Sequence, residues 1–278
     1  MTKITYEGKG QVSRLSQQHT QAGGVSGIFG LDARSHDLST KQATILVQEM
    51  LMEQFPQLNF RIRKTLQKSE IHSVMNKLDR SLGQQLFVAT ANIQPDGGIL
   101  EVQDKYGNWR VILVSEAKHQ GNDVANILAG NRTDKMVEKA QYVMPAGNAI
   151  ERVHKNIQEL KNYMLGERYF PYIVFLKGSN FAVMEETFQW LNGGSIKISP
   201  NDAALNRIDR VNAANYGLPI NQNYCENKYI HFGTHSVMLQ VTSIYAQLRE
   251  YTNEQFLNIT YSMAMSSLEI LRQDGDLV

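Results

Sequence analysis

Two runs of apolar, largely β-branched or aromatic residues constrain this chain most: Trp109 through Val114, and Tyr172-Ile173-Val174-Phe175-Leu176. Successive side chains of a strand point to opposite faces, so a strand that is apolar at nearly every position must be covered on both. The runs are too short for core helices, and Asp104-Lys105-Tyr106-Gly107-Asn108 supplies a turn before the first. Leu86-Phe87-Val88 and Ile99-Leu100-Glu101-Val102 read as further strands, with Gln94-Pro95-Asp96-Gly97-Gly98 as a turn between them.

Helical spacing alternates with these strands. Ser39-Thr40-Lys41-Gln42 reads as a capping box opening a helix with Ile45, Leu46 and Met50, closed by Pro56. A second helix is predicted from near Ser69, with Ile71, Val74, Met75 and Leu78 on one face. Ile150, Val153, Ile157, Leu160 and Met164 form the apolar face of another. Ala203 to Asn215 and Ser236 to Tyr245 also read as helical, and the last forty residues are mixed. The expected fold class is α/β, a central mixed β-sheet flanked by helices on both faces. Residues 1–24, polar and ending at Gly23-Gly24, read as a mobile N-terminal arm. No repeat or linker divides the remainder, so 1–278 is expected to form a single domain.

Composition narrows the function classes. With 278 residues, 42% of them hydrophobic, the chain can bury a substantial core. No apolar run approaches the roughly eighteen residues of a membrane span, and MTKITYEGKGQVSR lacks a secretory apolar segment. A single cysteine, Cys225, excludes an intrachain disulfide and fits a cytoplasmic protein, with the thiol expected as a small half-buried side chain. A net charge of +1 excludes a purely electrostatic nucleic-acid coat, though not an enzyme whose basic groove is offset by acidic residues elsewhere.

The chemistry lies where the apolar strand ends. Glu116 and Lys118, two apart, project to the same side, and Asp96 sits on a turn close enough to meet them. Two carboxylates bind Mg²⁺ incompletely, leaving room for water and phosphate oxygens, while a lysine can orient or deprotonate an attacking water or neutralise developing charge. Pro-Asp-Gly is also an ordinary turn sequence, and Glu-x-Lys an ordinary solvated pair. His119 beside them reads as a structural histidine or a base. There is no zinc-spaced His/Cys cluster, Walker loop or nucleophile elbow.

Longer motifs surround this set. Gly24-Val25-Ser26-Gly27-Ile28-Phe29-Gly30, Pro95-Asp96-Gly97-Gly98-Ile99 and Glu116-Ala117-Lys118-His119-Gln120-Gly121 are followed by Ala146-Gly147-Asn148-Ala149-Ile150-Glu151-Arg152 and His154-Lys155-Asn156. Leu205-Asn206-Arg207-Ile208-Asp209-Arg210 and Ala213-Ala214-Asn215-Tyr216-Gly217 complete them. In these the chain resembles the EcoRI-type type II restriction endonucleases of the PD-(D/E)xK nuclease superfamily, over roughly residues 10 to 272. The resemblance implies a restriction-endonuclease-like fold with DNA-embracing arms and a cytoplasmic homodimer. It implies cleavage of double-stranded DNA at GAATTC, after the G, with Mg²⁺, and a companion DNA methyltransferase in the host. It further implies that Asp96, Glu116 and Lys118 are catalytic, and that Asp96, Glu116 and the Ala117 carbonyl hold the metal. Glu101 has no implied role and reads as structural or surface.

Base readout has its own logic. Proline and glycine keep Met144-Pro145-Ala146-Gly147-Asn148 from a regular helix, so an extended segment leads into the Ile150 helix. Asn148 can pair with adenine N6 and N7, and Arg152 can donate to a purine N7. The resemblance makes Met144, Asn148, Ala149 and Arg152 DNA-contacting positions, Glu151 a brace for the arginines, and Arg207 and Arg210 contacts to the outer base pairs. Pro145 departs from the family pattern, which has an alanine there, and so lacks an N–H donor. Residues 121 to 143 match poorly; Arg132, Lys135 and Lys139 within them are candidate phosphate contacts. Two other classes remain open at this point: a structure-specific repair or junction nuclease of the superfamily, which needs no readout set, and a non-catalytic sequence-specific DNA-binding protein.

Overall fold

The computed structural model describes residues 25–82, 90–119, 147–178, 181–189, 194–200 and 202–277, with side chains from residue 39 onward except at 147–149, 196 and 202–207. The strand expected at Leu86–Val88, the N-terminal arm and residues 121 to 143 lie outside these ranges.

The two apolar runs are neighbours at the centre of a five-stranded sheet. In chain order the principal strands are β1 (Phe60–Arg63), β2 (Leu66–Gln67), β3 (Asn92–Ile93), β4 (Ile99–Gln103), β5 (Trp109–His119) and β6 (Tyr172–Lys177). They are followed by β7 (Glu186–Gln189), β8 (Ser195–Ile198), β9 (Lys228–Phe232), β10 (His235–Leu239) and β11 (Ser243–Gln247). The central order is β1-β4-β5-β6-β11. The β1/β4 and β4/β5 pairs are antiparallel, and β5/β6 and β6/β11 are parallel, so the sheet is mixed as expected. Every residue of β6 is buried, and so are Val111 through Ala117 of β5.

Helices cover both faces. Of α1 (Val25–Gln54), α2 (Lys68–Leu78), α3 (Gly147–Tyr163), α4 (Asp202–Ala213) and α5 (Asn253–Gln273), α1 and α5 pack on β5 and on each other. Ser115 points to that side, its hydroxyl 3.1 Å from that of Thr44 on α1, and Ser267 of α5 donates to the Ile112 carbonyl at 2.9 Å. Glu116, one residue on, faces the other side and meets α3. Phe175 of β6 packs edge-on against Phe256 and Tyr251, with ring centroids 4.6 and 5.3 Å away, and joins the α5 layer to the core.

Two expectations are corrected. Ser39–Gln42 does not open a helix; it lies inside α1, and Thr44 bonds the Thr40 carbonyl at 3.2 Å within the helix. Ser236 to Tyr245 is not helical. It holds β10 and β11, because Val237 and Leu239 pair with β9 while Ser243 to Gln247 complete the parallel edge beside β6. The helix of the mixed C-terminal region is α5, capped by Thr252, whose hydroxyl accepts from the Gln255 amide at 3.1 Å.

Two charged clusters bind the layers. Glu101 is structural rather than a surface acid: it is fully buried, with Arg61 at 2.6 Å and Arg63 at 3.2 Å. Arg61 also stacks on Trp109 at 4.1 Å. Arg110 ties the start of β5 to Glu167 and, at 2.6 Å, to Asp276 near the C-terminus. Cys225 is half-buried as expected; its thiol lies 3.3 Å from the Ser267 hydroxyl and burial pushes its pKa up to about 11.

Helices α3 and α4 are fastened by Lys161, buried at the end of α3, whose ammonium donates to the Ala214 carbonyl at 2.9 Å. The rings of Tyr216 and Phe170 lie 5.3 and 5.9 Å away, and burial pushes its pKa down to about 8 from 10.5. Between those values the unfolded chain binds more protons than the folded one, so this group's contribution to stability rises with pH there. Below about pH 8 its full cost is present. We expect wild-type stability, measured by urea unfolding, to gain on that of Lys161→Met by about 2 kcal/mol between pH 8 and pH 10. Parallel pH profiles for the two proteins would disprove this.

Candidate active site

β5 outruns its antiparallel partner. Ile99 of β4 pairs with Val114, so Glu116 to His119 lie beyond the end of β4. The Pro95–Gly98 turn fills that edge: the Gly97 amide donates to the Ser115 carbonyl at 2.9 Å, and the Gly98 amide to the Pro95 carbonyl at 3.0 Å. Gly98 has φ +81°, which an L residue rarely adopts. Gly97 passes so close to β5 that a Cβ there would stand 1.9 Å from the Ser115 hydroxyl oxygen. The two glycines bring Asp96 against the strand.

The turn thereby unites the three residues expected together. Asp96 Oδ2 accepts from the Ala117 amide at 3.1 Å and from Lys118 Nζ at 2.5 Å. Lys118 Nζ also lies 2.9 Å from Glu116 Oε1, so one ammonium bridges both carboxylates. Glu116 has two further donors. Tyr172, at the start of β6, donates its hydroxyl to Oε2, and Asn156 of α3 approaches Oε1 and Oε2 at 3.2 and 3.3 Å.

Burial sets the electrostatics. Glu116 is 1% exposed, and desolvation raises its pKa, reinforced by the Asp96 charge and opposed by Lys118 and Tyr172. Burial pulls Lys118 down, but the Glu116 and Asp96 charges outweigh it, and its pKa is raised. Lys118 is therefore held as an ammonium, able to orient water and neutralise charge, and in this state it is no base. Burial and the neighbouring Glu116 charge also drive the Tyr172 pKa well above its ordinary value, which keeps that hydroxyl a donor.

The donor set suits a hard divalent cation. Asp96 and Glu116 oxygens already converge on one cationic atom, Lys118 Nζ. Among the described residues no group of three His, Cys, Asp or Glu side chains could hold a metal. Two carboxylates fill only part of a divalent ion's shell, which fits an ion that keeps water and takes phosphate oxygens as ligands.

A sequence model described as "Restriction endonuclease EcoRI" matches residues 22–277. The chain belongs to the EcoRI family of restriction endonucleases. It is 46% identical to the type II restriction enzyme EcoRI of Escherichia coli over 272 residues, 96% of each chain. It is 47% identical to the type II restriction enzyme RsrI of Cereibacter sphaeroides over 274 residues, 99% of this chain and 98% of the other. It is a type II restriction endonuclease, a phosphodiester hydrolase acting on double-stranded DNA, and enzymes of this type generally need a divalent metal ion. No helix among the described residues is long and apolar enough to cross a membrane.

In this EcoRI-family enzyme the expected readout positions among the described residues are distributed over two helices. Gly147, Asn148 and Ala149 already belong to α3, so Gly147 and Asn148 are helical where an extended segment was expected. Met144 and Pro145, like Arg132, Lys135 and Lys139, lie outside the described residues. Arg152 is exposed on α3, and α4 carries Arg207 and the exposed Arg210. Glu151 is exposed beside Arg152. The contacts of Asn156 and Tyr172 to Glu116 escaped the sequence, although Asn156 stands four residues after Arg152 and eight after Asn148, a helical spacing that marks a shared stripe.

Proposed function

We propose that this restriction endonuclease is a single-domain, cytoplasmic enzyme that acts as a homodimer, cutting GAATTC after the G with Mg²⁺, alongside a host methyltransferase that protects the same site. The observation that carries the proposal is the convergence of Asp96, Glu116 and Lys118 on one edge of β5, reached by the helix that bears Asn148 and Arg152. A C2 dimer suits a palindrome, each subunit taking one half-site. Family membership removes support from the repair-nuclease and non-catalytic readings.

Asp96, Glu116 and the Ala117 carbonyl would hold Mg²⁺, which when bound supplies Lewis-acid polarisation of the scissile phosphoryl group. The Lys118 ammonium orients the attacking water and offsets negative charge on the phosphoryl oxygens. The Ala117 amide fixes Asp96, while Tyr172 and Asn156 fix Glu116. Asn148 and Arg152 address purine edges, Arg207 and Arg210 the outer pairs, and Met144 and Ala149 the groove between.

The direct test is a plasmid carrying one GAATTC site, incubated with Mg²⁺ or with EDTA. We expect a single linear product with 5′-AATT ends in Mg²⁺ and none in EDTA. Cleavage elsewhere sinks the specificity, and cleavage in EDTA sinks the metal requirement.

A further inference from the structure

We infer that Asn156 is the positioning residue through which the DNA-reading helix governs the catalytic carboxylate, so that Glu116 is fully held only when α3 is seated on its proper sequence. This rests on the proposed roles of Glu116 and α3.

Among the described residues, three side chains donate to Glu116, and they have different origins. Lys118 and Tyr172 stand on β5 and β6, joined in parallel register from Val114↔Tyr172 to His119↔Lys177. Backbone bonds lock those two donors whether or not DNA is present. Asn156 belongs to α3, which has no backbone ladder to the sheet. Its apolar residues Ile150, Val153, Ile157 and Leu160 are buried, Glu159 pairs with Lys68 of α2 at 2.5 Å, and Lys161 reaches the Ala214 carbonyl. Packed helices of this kind shift by an ångström or so where strands do not.

The geometry makes Asn156 responsive to such a shift. Its amide nitrogen straddles the carboxylate at 3.2 and 3.3 Å, long for bonds to a charged acceptor. A movement of a few tenths of an ångström either tightens or breaks them. Positions 148, 152 and 156 recur every fourth residue, so the positions proposed to face DNA and the one that reaches Glu116 fall along one stripe of one helix. Engagement of Arg152 thus bears on the position of Asn156 one turn away. Glu116 is buried and accepts each donor with little competition from water, so a donor gained or lost is felt strongly.

The test compares Asn156→Ala and Asn156→Asp with Tyr172→Phe. Single-turnover cleavage is measured at GAATTC and at a site differing in one base pair, TAATTC, with melting temperature and metal-free DNA affinity followed in parallel. Both Asn156 variants are expected to cut GAATTC about 10- to 100-fold more slowly, the range typical for loss of a partner of a metal ligand. At TAATTC they should slow less than about threefold, because α3 is not seated there to exploit the contact. Tyr172→Phe should slow both sites by a common factor, since its donor belongs to the sheet. Equal slowing at both sites by the Asn156 variants, or no slowing at GAATTC, overturns the coupling. A wild-type enzyme that leaves GAATTC uncut overturns the proposed specificity instead, and the comparison is then run at the site it does cut and a one-pair variant of it.

Discussion

Glu116→Gln is expected to lower single-turnover cleavage at least about a thousandfold while metal-free binding to GAATTC stays within about threefold of wild type. The substitution is nearly isosteric, so packing around this buried position persists. What changes is charge and acceptor count. Glu116 presents two oxygens to Lys118, Tyr172 and Asn156, whereas glutamine presents one oxygen and an amide that is itself a donor. One of those donors then faces another donor, and Lys118 is left with Asp96 as its single carboxylate. The hard anionic ligand is lost, and with it the convergence that suits a divalent ion. Binding survives because Asn148, Ala149, Arg152, Arg207 and Arg210, all proposed to touch DNA, stand on α3 and α4 rather than on β5. Filter binding in EDTA and quenched-flow cleavage in Mg²⁺ check both halves. A variant that cuts at the wild-type rate shows that Glu116 is not a metal ligand.

The legible and illegible parts of this molecule differ in their range along the chain. Val111–Val114 and Tyr172–Leu176 announced buried strands because solvent on either face is incompatible with their side chains, and both lie at the sheet centre. Asp96, Glu116 and Lys118 were also legible as a group, since an i, i+2 pair on a strand and an adjoining turn need only local geometry to meet. Asn156 and Tyr172 were not. Their contacts with Glu116 depend on β6 pairing parallel to β5 and on where α3 lands, neither of which a local pattern encodes. The misread elements have local causes. Ser39–Gln42 carries capping-box residues, yet the same spacing is tolerated inside a helix when Thr44 bonds back to the Thr40 carbonyl. Ser236–Tyr245 mixes polar and apolar residues at spacings compatible with a helix, and pairing with β9 and β6 overrides them. The start of α5 did carry a signal, since Thr252 and Gln255 form a reciprocal cap three residues apart.

The same close approach that seats Asp96 makes Gly97→Ala the most informative substitution outside the acid–lysine set. A Cβ at Gly97 would meet the Ser115 hydroxyl oxygen at 1.9 Å and the Ser115 Cβ and carbonyl oxygen each at 3.1 Å. Ser115 is fully buried and its hydroxyl is engaged with Thr44, so turning it aside costs that bond and finds little space. The alternative is for the Pro95–Gly98 turn to lift from β5. That strains the Gly97 amide bond to the Ser115 carbonyl and carries Asp96 away from the Ala117 amide and Lys118. A displacement near 1 Å at a reacting group typically costs about a hundredfold in rate, and that is the loss expected for Gly97→Ala, with DNA binding retained. Ser115→Ala removes the 1.9 Å contact and leaves the 3.1 Å ones, which small shifts can absorb. Thr44 meanwhile keeps its 3.2 Å bond to the Thr40 carbonyl. Ser115→Ala alone should therefore cut near the wild-type rate, and the double variant should recover to within about tenfold of it. A double variant as slow as Gly97→Ala would show that something other than this contact places Asp96.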